Sequence, residues 1–300
     1  MADFLTFLFK GISVGSLYAL IALGYTMVYG ILQFINFAHS DVFALGAFFS
    51  WRFAVAYHLM HPTPIQAAGL LLLSMAACAL TGLLIEWLAY RPLRQAPRLN
   101  VLITAIGVSL FLENAGQLVW GKSVVQFPTM TEHSIVLGGV HIRLVEVVAV
   151  GAAFALMLGL QWLVYRTKIG RGMRAVSVDH NIAGLMGVPV DQIISLTFVI
   201  GSALAGAGGL LVGLTYGQIK QPADASWIIY GLKAFVAAVI GGIGNLPGAM
   251  LGGLLLGIAE QFVAGYVSTT FRDAIAFALL IVILLVRPSG ILGKNVVEKV

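Results

Sequence analysis

Apolar stretches of bilayer-crossing length follow one another with little between them: 4–31, 42–58, 65–89, 101–120, 144–165, 192–216, 227–243, 248–266 and 271–287. A helix needs about 20 apolar residues to cross a hydrocarbon core of about 30 Å. Hydrophobic residues make up 60% of the chain and charged ones 10%, against about 45–50% and about 25% in soluble domains. A soluble fold of this composition would lack polar surface. The expected class is therefore all-α, a polytopic transmembrane helical bundle. Segments 31–45 and 240–253 are irregular, and either can be broken or re-entrant, so eight or nine spans are expected. No hydrophilic linker divides the chain, which predicts one domain over 1–300. The first run starts at Phe4 without a preceding basic region and reaches about Ile31, too long for a signal-peptide core, so no cleaved leader is expected.

Glycine agrees with a membrane solvent. In lipid, helices associate by close packing of small residues. Gly11 and Gly15, Gly209 with Gly213 and Gly217, Gly248 with Gly252, and Gly253 with Gly257 each recur at four-residue spacing, on one helix face. Cys78 lies inside an apolar run and reads as a small core residue.

The net charge of +5 sits in loops, so it reads as positive-inside bias and no nucleic-acid partner is implied. Arg91, Arg94 and Arg98 occupy one loop, Arg166, Lys168, Arg171 and Arg174 another, and Arg287, Lys294 and Lys299 the tail. The alternate loops are poorer, with Lys122, Arg143 and Glu132 in one and Lys220 and Asp224 in the next. The basic segments are separated by even numbers of spans, which predicts that all three, and the C-terminus, are cytoplasmic. Nine spans would put the N-terminus outside.

Several motifs have a bland and a functional reading. Gly116 to Ser123 matches the phosphate-loop spacing, but it closes an apolar helix with no preceding strand. Trp120 there reads as an interfacial anchor with Lys122 as its flank. His39-Ser40-Asp41 has triad residue types, yet neighbours along a helix do not face one another. The six histidines show no ligand-like pairing with acids, so neither a metal nor any other cofactor is expected. The polar interruption containing Asn36 and His39 is either a helix end or a break lining a path. Glu86 one turn from Arg91, and Glu146 beside Arg143, read as interfacial. Glu113, Asn114 and Lys233 lie deeper, as structural pairs or as path-lining groups. Gly241 to Gly248, including Gly242 and Asn245, is a tight turn or irregular backbone along a cavity.

The segment 166–191 is the longest hydrophilic stretch between spans. Asp179 or Asn181 can cap a short helix running through Met186, and Gly187-Val188-Pro189 stops it. Ile182, Leu185 and Met186 would share a side. Such a helix fits a partner's groove, and a solvated basic loop would leave much the same pattern.

The chain resembles the inner-membrane permeases of branched-chain amino-acid ABC importers, the LivH type. The likeness rests on Gly15-Ser-Leu-Tyr18 through Gly24, on Asn36-Phe-Ala-His39, and on Gly170-Arg-Gly-Met-Arg174-Ala175 continuing through Asn181, Ala183 and Gly187. Lys233-Ala-Phe235 leading into Gly241 to Gly244 and Gly248-Ala249, then Arg287-Pro-Ser-Gly290, complete it. Ser40 and Gly184 depart from it, where the family usually has Gly and Ala. The resemblance implies a subunit that hydrolyses nothing. It implies pairing with a second related permease (or a second copy), two cytoplasmic ATP-binding subunits and a periplasmic substrate-binding protein. It makes 170–189 the ATPase-coupling segment, with Arg171, Arg174, Asp179, Asn181, Ala183, Met186 and Gly187 carrying it. Relatives of this type also carry other amino acids, amides and urea.

Overall fold

The computed structural model describes residues 2–94, 96–130, 134–137, 140–220, 222 and 224–293. Glu132, His133, Lys294 and Lys299 fall outside them. The apolar runs fold as α1 (Ala2–Leu32), α2 (His39–Ala56), α3 (Pro64–Ile85), α4 (Arg98–Trp120), α5 (Leu144–Arg166), α8 (Val190–Tyr216), α9 (Ala225–Gly241), α10 (Leu246–Tyr266) and α11 (Arg272–Val286). Two short helices, α6 (Lys168–Val178) and α7 (His180–Leu185), connect α5 to α8.

Among the described residues seven helices are long and apolar enough to cross a membrane, fewer than the expected eight or nine. The two that fall short, α2 and α9, do so for local reasons. α2 begins only at His39 and carries Asp41 and Arg52, which lower its apolarity. α9 ends where Gly242 takes φ +104°. Its 17 residues, at about 1.5 Å each, reach about 25 Å against a core of about 30 Å.

α1 is the central helix and packs on α10, α8, α9 and α5. Its closest approach is to α10, where a Cβ on Gly15 would come within 2.9 Å of the Gly253 carbonyl. A second small-residue seam joins α2, α3 and α8: Ser74 Oγ donates to both the Gly46 and the Gly206 carbonyls, at 2.9 and 3.1 Å. Cys78 lies buried in that seam, one turn along α3.

The connections gather at two ends. At one end Arg91 and Arg94 meet Asp191, His180 reaches the Ile31 carbonyl, and the Ile291 and Leu292 amides bond the Ile240 and Gly241 carbonyls. The basic segments 91–94, 166–174 and 287 thus share one end, as the charge pattern predicts. At the opposite end β1 (Val125–Gln126) pairs antiparallel with β4 (Gln218–Ile219), and β2 (Ser134–Leu137) forms a hairpin with β3 (Val140–Arg143). None of these strands is visible in the hydropathy pattern. Arg143 holds Glu146 at 2.7 Å there. Asp224 caps α9: burial acts to raise its carboxyl, but hydrogen bonds from Ser226 and the Lys220 charge hold it below the ordinary range.

Candidate functional site

The coupling segment is built from short-range signals. Thr167 Oγ1 accepts from the Gly170 amide at 3.1 Å and starts α6. α6 turns Met173 and Val176 inward and leaves Arg171 exposed. Arg174 instead donates to the Val164 carbonyl and lies 5.6 Å over the Tyr165 ring. It ties α6 to the last turn of α5. Of the two candidate caps Asp179 is the one used, its Oδ1 accepting from the Ile182 amide at 2.9 Å; Asn181 is exposed.

α7 ends in a Schellman pattern. The Gly187 amide bonds the Gly184 carbonyl and the Val188 amide bonds the Ala183 carbonyl, both at 3.0 Å. Gly187 takes φ +81°, the left-handed conformation such an end demands of its residue. Ala183 is buried against the bundle. His180 Nε2 lies 2.8 Å from the Ile31 carbonyl, fastening α7 to the end of α1. The outward face is apolar: Leu185 is 87% and Met186 80% exposed, with Val178 and Ile182 beside them. The result is a rigid apolar knob on the basic end.

The residues expected along a path fall into separate places. Gln33 to Ala38 is non-helical, with Gln33 at φ +52°. It folds back into the bundle, so that the His39 ring lies against Gly24 and edge-on to Tyr25 at 4.6 Å. Asn36 Oδ1 accepts from the Tyr90 hydroxyl at 2.6 Å. Asp41 accepts from Ser109 on α4, and Glu113 is one turn further along that helix. Asn114 is exposed and bonds its own helix at the Leu110 carbonyl, 2.7 Å away.

Lys233 is 4% exposed. Its Nζ stands 3.0 Å from Glu260 Oε1 and 2.6 Å from Asp273 Oδ1, and Tyr18 donates to Glu260 Oε2 at 2.8 Å. Gly242 and Asn245 form the α9–α10 turn. Asn245 Oδ1 accepts from the Gly248 amide at 3.2 Å, and its Nδ2 donates to the Leu292 carbonyl at 2.7 Å. No hydrogen bond or ion pair among the described residues joins the His39, Lys233 and Asn245 groups.

Glu86 was expected at the interface beside Arg91. It is 1% exposed, and its partner is Arg94. The reason is a π turn over Glu86–Tyr90 that continues α3, followed by a 3-10 turn over Arg91–Leu93. Together these turn Arg94 back over Glu86. Trp120, expected as an interfacial anchor, ends α4 half-buried and stacked on Phe48 at 5.3 Å. Gly116 to Ser123 ends a helix that no strand precedes.

Helices apolar on every side, small-residue seams between them and a few buried paired charges define a multi-pass membrane protein. The family model for the branched-chain amino acid transport system permease component matches residues 7–284, and the chain belongs to that family. It is 44% identical over 305 residues to the high-affinity branched-chain amino acid transport system permease protein LivH of Escherichia coli K12, covering 99% of this chain and 98% of that one. It is 43% identical over 303 residues to BraD of Pseudomonas aeruginosa, covering 98% and 97%. The LivH-type permease of Methanocaldococcus jannaschii is 28% identical over 296 residues, covering 93% and 90%. No solved structure matches the chain. The protein is a transport permease and not an enzyme.

Proposed function

We propose that this chain is the inner-membrane permease subunit of an ATP-driven importer for branched-chain amino acids. It would line the translocation path with a second related permease or a second copy. Two cytoplasmic ATP-binding subunits would dock on the basic end, and a periplasmic binding protein would deliver substrate at the other. The observation that carries the reading is the knob of Val178, Ile182, Leu185 and Met186. An exposed apolar patch of this kind marks a protein contact, and a short helix presenting one suits a groove.

The mechanics follow from the contacts behind the knob. Arg174 links it to the end of α5, His180 to the end of α1, and Val188 leads directly into α8. ATP-driven motion of the partner would reach three helix ends through those links. The names of the relatives 43–44% identical to the chain supply the substrate class, since both are branched-chain amino acid permeases.

Replacing both Leu185 and Met186 by Asp tests this. The double variant is expected to insert normally, with a stability change within about 0.5 kcal/mol because both side chains are exposed. Co-purification of the ATP-binding subunits and uptake of labelled leucine should fall at least tenfold. Unchanged co-purification and uptake would overturn the assignment.

A further inference from the structure

A cavity of about 310 Å³ opens beside the coupling segment at the basic end. That volume is at the small end of the range for ligand pockets. Its polar wall is Glu86, Tyr90, Arg94 and His180; Phe34, Val101 and Phe198 are part of its apolar lining. Glu86 and Tyr90 both come from the π turn that ends α3, and single π turns within helices often accompany functional sites.

The charges in this wall are fixed but not saturated. Glu86 accepts from Arg94 on Oε1 and from the Ser195 hydroxyl on Oε2, at 2.8 Å for the latter. A carboxylate has about four acceptor positions, so Glu86 keeps the capacity to accept from an ammonium group. Arg94 uses Nη1 on Asp191 and Nη2 on Glu86, while its buried Nε makes no hydrogen bond among the described residues. A buried N–H without an acceptor is costly, and a carboxylate is the acceptor a guanidinium prefers. Tyr90 holds its hydroxyl on Asn36, which stiffens the same wall.

We propose that this cavity binds a free apolar α-amino acid from the cytoplasmic side, with its carboxylate on Arg94, its ammonium on Glu86 and its side chain against Phe34, Val101 and Phe198. The juxtaposed acid and base select a zwitterion, and the apolar wall selects the side chain. Because His180 lines the cavity and also fastens α7 to α1, an occupant lies against the coupling segment itself. The inference rests on the importer reading for the side of the membrane and the class of amino acid.

The test uses the complete transporter in nanodiscs without the binding protein, with tritiated leucine in equilibrium dialysis. Saturable binding is expected in the wild type. Arg94→Gln should weaken it at least tenfold. Val101→Phe should weaken it as much while leaving both charges in place. Neither 4-methylpentanoate, which lacks the ammonium, nor 3-methylbutylamine, which lacks the carboxylate, should compete. Absent saturable binding, unchanged binding in both variants, or competition by either analogue as good as by leucine would overturn the proposal. Leucine import by the wild-type complex, reconstituted in vesicles with binding protein added, separates the two readings. Import without this binding overturns the cavity alone, and absent import overturns the importer reading.

Discussion

Lys233 and Glu260 pair between α9 and α10 with neighbours on every side: Tyr18 and Arg272 also meet Glu260, and Asp273 also meets Lys233. Glu86 and Arg94 pair at the other end of the bundle, where a cavity lies against them. The first cluster joins α1, α9, α10 and the start of α11, with Lys233 and Glu260 buried and Arg272 and Asp273 at its rim, and it reads as a fastening between helices. The second is held on a π turn and a short loop, which is where a wall can afford to change its contacts. Buried charge in a membrane protein therefore does not by itself mark a path. What separates the two uses is whether the pair faces only protein or also faces space.

Lys233→Met breaks the comparison most directly. Removing one partner of a buried pair costs about 3–5 kcal/mol, so the variant should lose much of its thermal stability in detergent. A double Lys233→Met, Glu260→Met variant should recover most of it. A single variant as stable as the wild type would show that the cluster fastens nothing. Arg94→Leu sharpens the contrast with a smaller effect. Water can enter the cavity and solvate Glu86, so the loss should be nearer the about 1–3 kcal/mol of an unsatisfied buried polar group. An equal or larger loss than at Lys233 would erase the distinction.

A smaller effect concerns the coupling segment. Asp179→Ala removes the cap of α7 and should cost about 1 kcal/mol, read as earlier proteolysis at 179–187 in limited digestion. Unchanged cleavage would mean that the packing of Ala183, rather than the cap, sets α7.

These differences explain what could be read in advance. The Asp179 cap and the Gly187 stop were legible because both act within four or five residues, and local chemistry leaves local signatures. The gathering of basic loops was legible because the parity follows from counting apolar runs, the shorter α2 and α9 included. The partners of Glu260 were not, since Tyr18 is 242 residues away and Lys233 is 27. The facing of Asn114 was not legible either. In lipid both the outward and the packed sides of a helix are apolar, so α4 carries no stripe to show which way it turns. The π turn that buries Glu86 also left no mark, because Glu86 to Tyr90 reads as ordinary helix in residue type. The position of α9 was misjudged by two residues: Gly242 and Ile243 were counted as helix, when the φ of Gly242 ends it.

The central claim is that the tip of α7 faces the cell interior and is covered by an ATP-binding subunit. Met186→Cys in a Cys78→Ser background places one reactive thiol on that tip, since Cys78 is the chain's only cysteine. A membrane-impermeant maleimide is then applied to right-side-out and inside-out vesicles, with and without the ATP-binding subunits. Labelling is expected only in inside-out vesicles, with protection when those subunits are present. Labelling from the outside, or equal labelling with the subunits bound, would contradict it.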